Sequence, residues 1–418
     1  MSVYVAVSLF AGAILVFSAF SSFLQRIGLP GPLLALAFGA ALGPYALDVV
    51  TIGSFGVPPM TLLEEASRVT LAIGLSGVAL RLPHGYWREH RRWVLWMIGV
   101  GMVVMLLVAT GVLWALLGLP LALALLIGAI ITPTDPVVTT PVVTGSLAEA
   151  KIPDRVRFNI SSESGLNDGL AYLFVFLPIM LMIRPDKSWS DLLTTVVLRE
   201  VIGGALFGVA VGLAFGYLYR LVRRRQLIEE TAYLGFIIAL AFFVLGTGEV
   251  AGVNALLAVF IAAAVFGQII PQSDEQKQDR LDDSMNRFFI LPVFMLLGLA
   301  LPFPAWGELG WGAVAAVMLA LVLRRVVTVW LLRPALRPEH SRAETAFLSW
   351  FAPVGVSALF YSTVAEHETG DPLVFTYATL AIAISVLIHG VSASPLSYQL
   401  HRYQERREPE RAADPGED

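Results

Sequence analysis

Long apolar runs, separated by short polar or Gly/Pro punctuation, cover almost the whole chain. They fall at 3–25, 31–50, 64–82, 93–117, 120–144, 159–183, 191–222, 230–247, 251–270, 287–301, 311–332, 343–365 and 372–398. Runs of this kind match the roughly 20 residues a helix needs to cross a ~30 Å hydrocarbon core. A helix also satisfies its own backbone hydrogen bonds where water is absent. The pattern predicts an all-α polytopic membrane protein of about thirteen transmembrane helices. Two runs are less clean: the third carries Glu64, Glu65 and Arg68 in its first turns, and the tenth is brief.

Composition agrees. Of 418 residues, 57% are hydrophobic and 14% charged, where a soluble chain carries about 25% charge. The absence of cysteine excludes disulfides, thiolate chemistry and Cys-ligated metals. The six histidines form no HExxH spacing. There is no P-loop, so ATP does not drive this chain, and neither a cofactor nor a nucleic-acid partner is expected. The first twenty residues lack a basic leader and a small-residue cleavage site, so they read as a retained helix. The charged end, 401–418, reads as a cytoplasmic tail, disordered from about Gln404.

Lys and Arg alternate across the connections. Twenty-two lie on one set, which includes the tail; the other set holds only Arg184 and Lys187. The positive-inside rule puts the tail in the cytoplasm and, with thirteen crossings, the N-terminus outside the cell membrane. Arg68, Arg199, Arg324 and Arg325 fall inside the runs. Arg68 is expected to snorkel to the headgroups, whereas Arg324 and Arg325 lie more than ten residues deep.

Against this apolar background the fifth run contains Thr132-Pro133-Thr134-Asp135-Pro136. Pro133 and Pro136 should unwind the helix, and unwound backbone at that depth must face protein or a watery cavity. A plain kink with Asp135 on freed amides is one outcome; intramembrane carboxylates are expensive, however, and are usually functional. The sixth run adds Glu163, Ser164, Asn167 and Asp168. On a helix Ser164 and Asp168 share one face, and Glu163 and Asn167 the adjoining stripe. Helix caps would explain carboxylates near the loop, but Asp168 is too deep for a cap. Hard oxygen donors suit an alkali cation.

Pro353 and Gly355 interrupt the twelfth run at nearly the same depth. Two broken helices in corresponding positions point to an inverted-repeat transporter. Their separation by seven crossings gives them opposite directions, as inversion requires.

With TPTDP followed some thirty residues later by ESGLNDG, the chain resembles the cation/proton antiporter superfamily, in the Na⁺/H⁺ exchanger branch with an Asn-Asp pair. The likeness covers nearly all of 1–400. It implies a transmembrane antiporter domain with core and dimerisation subdomains, alternating access and a homodimer in the bilayer. It also implies that Asp168 carries the cation and proton, that Asp135, Ser164 and the main chain at Thr134 are further cation ligands, and that Asn167 positions them. By the same likeness Glu163 pairs with an arginine of the eleventh run, Arg325 in preference to Arg324. Many relatives place arginine after the proline of the twelfth run, where this chain has Ala352-Pro353-Val354-Gly355.

The expected activity is exchange of a monovalent cation, Na⁺ or Li⁺, for H⁺, electroneutral and one-for-one. K⁺/H⁺ exchange is the near alternative, since oxygen ligands alone do not set cavity size. A channel would want a carbonyl filter such as TVGYG, and an intramembrane aspartyl protease would want Gly-x-Gly-Asp; neither is present.

Overall fold

The structure, a computed structural model, describes residues 3–20, 23–24, 29–135, 138, 140–143, 146–183, 192–229, 232–270, 286–336 and 341–413. Among them there are helices and no strands. The helices are α1 Val3–Ala19, α2 Gly31–Leu42, α3 Pro59–Leu80, α4 Arg91–Leu117, α5 Leu121–Ile131, α6 Asp154–Ile183, α7 Leu193–Arg224, α8 Ala232–Ala251, α9 Ala255–Ile269, α10 Leu291–Ala300, α11 Phe303–Leu336, α12 Arg342–Trp350, α13 Val356–Thr369 and α14 Pro372–Ala413. Each apolar run of the sequence contains a helix, and the fifth and the twelfth each contain two, Leu121–Ile131 with Thr140–Val143 in the fifth and α12 with α13 in the twelfth. α4, α6, α7, α8, α11 and α14 are each long and apolar enough to cross a membrane.

Boundaries depart from the apolar runs for local reasons. α2 stops at Leu42, ahead of Gly43-Pro44, and the chain folds back so that the Val49 and Val50 amides cap the Leu42 carbonyl, both at 3.0 Å. α3 begins earlier than its run, with Pro59 in the first turn, where a missing N–H costs nothing. α14 runs without a break to Ala413, past the end of its apolar run. Arg, Glu and Gln are good helix formers, and His401 and Glu405 lie 3.3 Å apart one turn on from each other.

The helices pack as two groups. α2 lies on α10, α9 on α3, α7 and α8, giving one group; α4, α5, α6, α11, α12, α13 and α14 pack on one another as the second. The groups meet where α13 crosses α3 and where α6 crosses α9. Small residues set the closest approaches, as expected where lipid removes the hydrophobic drive between helices. Gly204, Gly208 and Gly212 of α7 form a stripe pressed on the main chain of Asn254, Ala258 and Ala262 of α9, leaving no room for a Cβ.

The Arg68 guanidinium is held by Glu64 at 2.6 Å, Glu65 at 3.5 Å and Glu249 at 3.7 Å, and it lies 5.4 Å over the Phe360 ring.

Candidate functional site

Two helix breaks cross inside the second group. α5 ends at Ile131, and Thr132 to Asp135 continue without helix; α12 ends at Trp350, and the chain is extended through Phe351 to Gly355 before α13 begins. Pro133 and Pro353 sit within these stretches, and Gly355 is the residue before α13. Pro136 lies outside the described residues. The strands of the crossing are tied directly, the Asp135 amide donating to the Pro353 carbonyl at 2.8 Å. Asp135 does more than stitch its own kink: its carboxylate accepts the Val356 amide at the start of α13. A helix N-terminus carries partial positive charge, and a carboxylate there offsets it. Gly355 fits because a Cβ at that position would meet the Asp135 carboxylate.

The opposite pole of the crossing is held by Arg324, wholly buried on α11. It donates to the Thr132 carbonyl at 2.8 Å and the Ala352 carbonyl at 2.6 Å. These are the exposed carbonyls where α5 and α12 end, so one guanidinium serves both negative ends. Val354 itself is buried and donates its amide to Ser385 Oγ of α14 at 2.7 Å, a hydroxyl that His389 Nδ1 meets at 3.0 Å.

α6 runs past the crossing with its polar residues turned toward it. The Thr134 amide donates to Asn167 Oδ1 at 3.2 Å, Asn167 Nδ2 donates to Thr134 Oγ1 at 2.8 Å, and Thr134 Oγ1 lies 3.0 Å from Ser164 Oγ. Asn167 thereby fixes the unwound segment in place. On the neighbouring stripe, both oxygens of Glu163 receive the Arg325 guanidinium, whose Nε donates to the Leu348 carbonyl at 2.9 Å. Both partners are at most 2% exposed.

Asp168 is the exception. It is buried at 1% exposure, and neither carboxylate oxygen has a hydrogen-bond donor. Its main-chain carbonyl accepts the Tyr361 hydroxyl from α13 at 2.6 Å. A lone carboxylate in such surroundings is costly unless something positive accompanies it. The structure thus brings Asp135, Thr134, Ser164, Asn167 and Asp168 together at the crossing, with Glu163, Arg325 and Arg324 in the shell around it. Sequence reasoning passed over Ser357 and Tyr361. Both lie on the first turns of α13 at helical spacing, and two hydroxyls four residues apart just after a broken segment were the available signal.

Buried carboxylates at the crossing of two broken helices are the pattern of an ion-binding site inside a membrane protein. Residues 12–398 match the family described as sodium/hydrogen exchanger, transmembrane, and the chain belongs to that family. It is 30% identical over 430 residues to Na⁺/H⁺ antiporter 2 of Zygosaccharomyces rouxii, covering 93% of this chain and 52% of that protein. To the Na⁺/H⁺ antiporter of Schizosaccharomyces pombe it is 26% identical over 420 residues, covering 93% of this chain and 89% of the other. The chain spans about half the length, or less, of several curated yeast relatives. The fold matches the sodium proton antiporter MjNhaP1 of Methanocaldococcus jannaschii at pH 8, with a TM-score of 0.72, 19% identity, and coverage of 96% of this chain and 100% of that one.

Proposed function

We propose that this chain exchanges Na⁺ or Li⁺ for H⁺ across the membrane, one for one, by alternating access at Asp168. The observation that carries the reading is the Asp168 carboxylate, deep in the protein with no donor of its own. Such a group accommodates a proton or a cation in turn, and the oxygens of Asp135, Ser164 and Thr134 complete a hard-donor cage for the cation. Asp135 is already engaged with the Val356 amide and the α13 dipole, and Glu163 with Arg325. One carboxylate is therefore left to change its load. The names of the yeast relatives and of MjNhaP1 support the same ion pair. In this reading the basic connections and the tail are cytoplasmic, the N-terminus is outside, the second helix group is the moving core, and the first group forms the dimer contact in the cell membrane.

Proteoliposomes loaded with a pH dye test the reading directly. Na⁺ or Li⁺ added outside an acidified lumen is expected to restore fluorescence, with K⁺ as the third arm of the scan. Proton and cation share one site, so acidification is expected to raise the apparent KM for the cation. The rise approaches about tenfold per pH unit once protons fill the site, with little change in rate at saturating cation. A potential imposed with valinomycin, in K⁺-containing vesicles if K⁺ is not a substrate, is expected to leave the final gradients unchanged. End points that move with voltage would defeat the one-for-one scheme.

A further inference from the structure

The first turn of α13 holds a hydroxyl that none of the roles above employs. Ser357 is wholly buried, and its Oγ has no hydrogen-bond partner. The Asp168 carboxylate oxygens share that condition, and the two residues lie on α13 and α6, which pack together with the Tyr361 hydroxyl of α13 on the Asp168 carbonyl. Three oxygens without a partner thus lie on one pair of packed helices, where buried polar groups are normally paired.

We propose that Ser357 Oγ is a further ligand of the transported cation, supplied by the second broken helix. The proposal rests on the cation/proton reading of Asp168 and adds a member to its cage. Tyr361, one turn further along the same face of α13, reaches the Asp168 carbonyl at 2.6 Å. That contact fixes the level at which Ser357 meets α6. Val356, the preceding residue, gives its amide to Asp135, so Ser357 follows directly on the residue that Asp135 holds. A helix N-terminus by itself repels a cation; the Asp135 carboxylate lying on it offsets that charge and lets a hydroxyl there act as a donor of lone pairs. A serine oxygen is hard and neutral, which suits an alkali cation beside one negative charge. When Asp168 holds the proton, the same oxygen accepts the hydrogen bond from its carboxylic acid. Ser357 serves both halves of the cycle without changing charge itself.

The test uses the full chain in detergent and in proteoliposomes, with Na⁺ and Li⁺ as probes. Ser357→Ala is expected to keep the thermal midpoint measured without these ions while losing most of the midpoint rise that they produce. Its apparent KM for Na⁺ should increase about tenfold at alkaline pH, with the saturated rate retained. Ser357→Thr, which keeps the hydroxyl, should stay close to the parent, and Ser357→Cys, close in size, should behave like Ser357→Ala. A merely structural hydroxyl would instead lower the ion-free midpoint and leave KM alone. Parental KM and parental ion-dependent midpoint in folded Ser357→Ala and Ser357→Cys would overturn the inference. Loss of exchange in Asp168→Asn in the same assay would then leave the exchange reading standing, whereas exchange surviving there would remove that reading as well.

Discussion

Asp168→Asn is expected to fold, to incorporate into vesicles and to exchange no cation for protons. The amide copies the carboxylate in size and shape, so packing around α6 is preserved. It cannot take up and release a proton in the working range, nor offer a full negative charge to a cation. Both half-reactions end at the same atoms, so loss of the charge should stop both, and the dye signal should fall to that of empty vesicles. The expected drop exceeds that of any other single change in the site. Asp135→Asn should also be severe, but through a weaker hold on the cation and on the start of α13, so some exchange should return at high cation concentration. Near-parental exchange by well-folded Asp168→Asn would remove this residue from the mechanism.

The second large effect is on stability. Glu163 and Arg325 form a two-armed ion pair with almost no exposure. Breaking such a pair from one side leaves an uncompensated buried charge, a loss of roughly 3–5 kcal/mol. Glu163→Gln alone and Arg325→Met alone should each lower the thermal midpoint in detergent by a wide margin. The double variant should recover part of the loss, because no bare charge is left in it. Strictly additive losses would mean that the two residues do not couple. The pair ties α6, which carries Asp168, to α11 and through the Leu348 carbonyl to α12, so exchange should decline along with stability.

The helices were legible in the sequence because lipid imposes a length and a composition that each run meets on its own. Both breaks were legible for a similar reason, since proline and glycine act on their own turn of helix. The crossing was harder to read, because it depends on which face each helix turns to a neighbour far along the chain. Arg324 and Arg325 show the difficulty well. Adjacent residues on a helix point about 100° apart, so one arginine reaches Glu163 and the other the carbonyls of Thr132 and Ala352. Only the likeness to relatives singled out Arg325, and nothing in the sequence announced the contacts of Arg324. Ser357 and Tyr361 escaped notice because their counterpart, Asp168, lies some two hundred residues earlier.

Arg324 also sets how stiffness is distributed. A single planar group bonded to the ends of both α5 and α12 works as a rivet, and the Asp135–Pro353 and Asp135–Val356 bonds are further fastenings across the same joint. Shearing the two breaks apart would expose a guanidinium and several carbonyls at once, each without a partner. Where α6 passes α9, by contrast, Gly165 faces the Phe260 ring and Gly169 the Leu257 backbone, and the Asn254 side chain at the start of α9 donates to the Gly169 carbonyl at 2.8 Å. In the exchange proposed above, the cage around Asp168 moves with the riveted joint as one piece, and it is the wall beside it that changes.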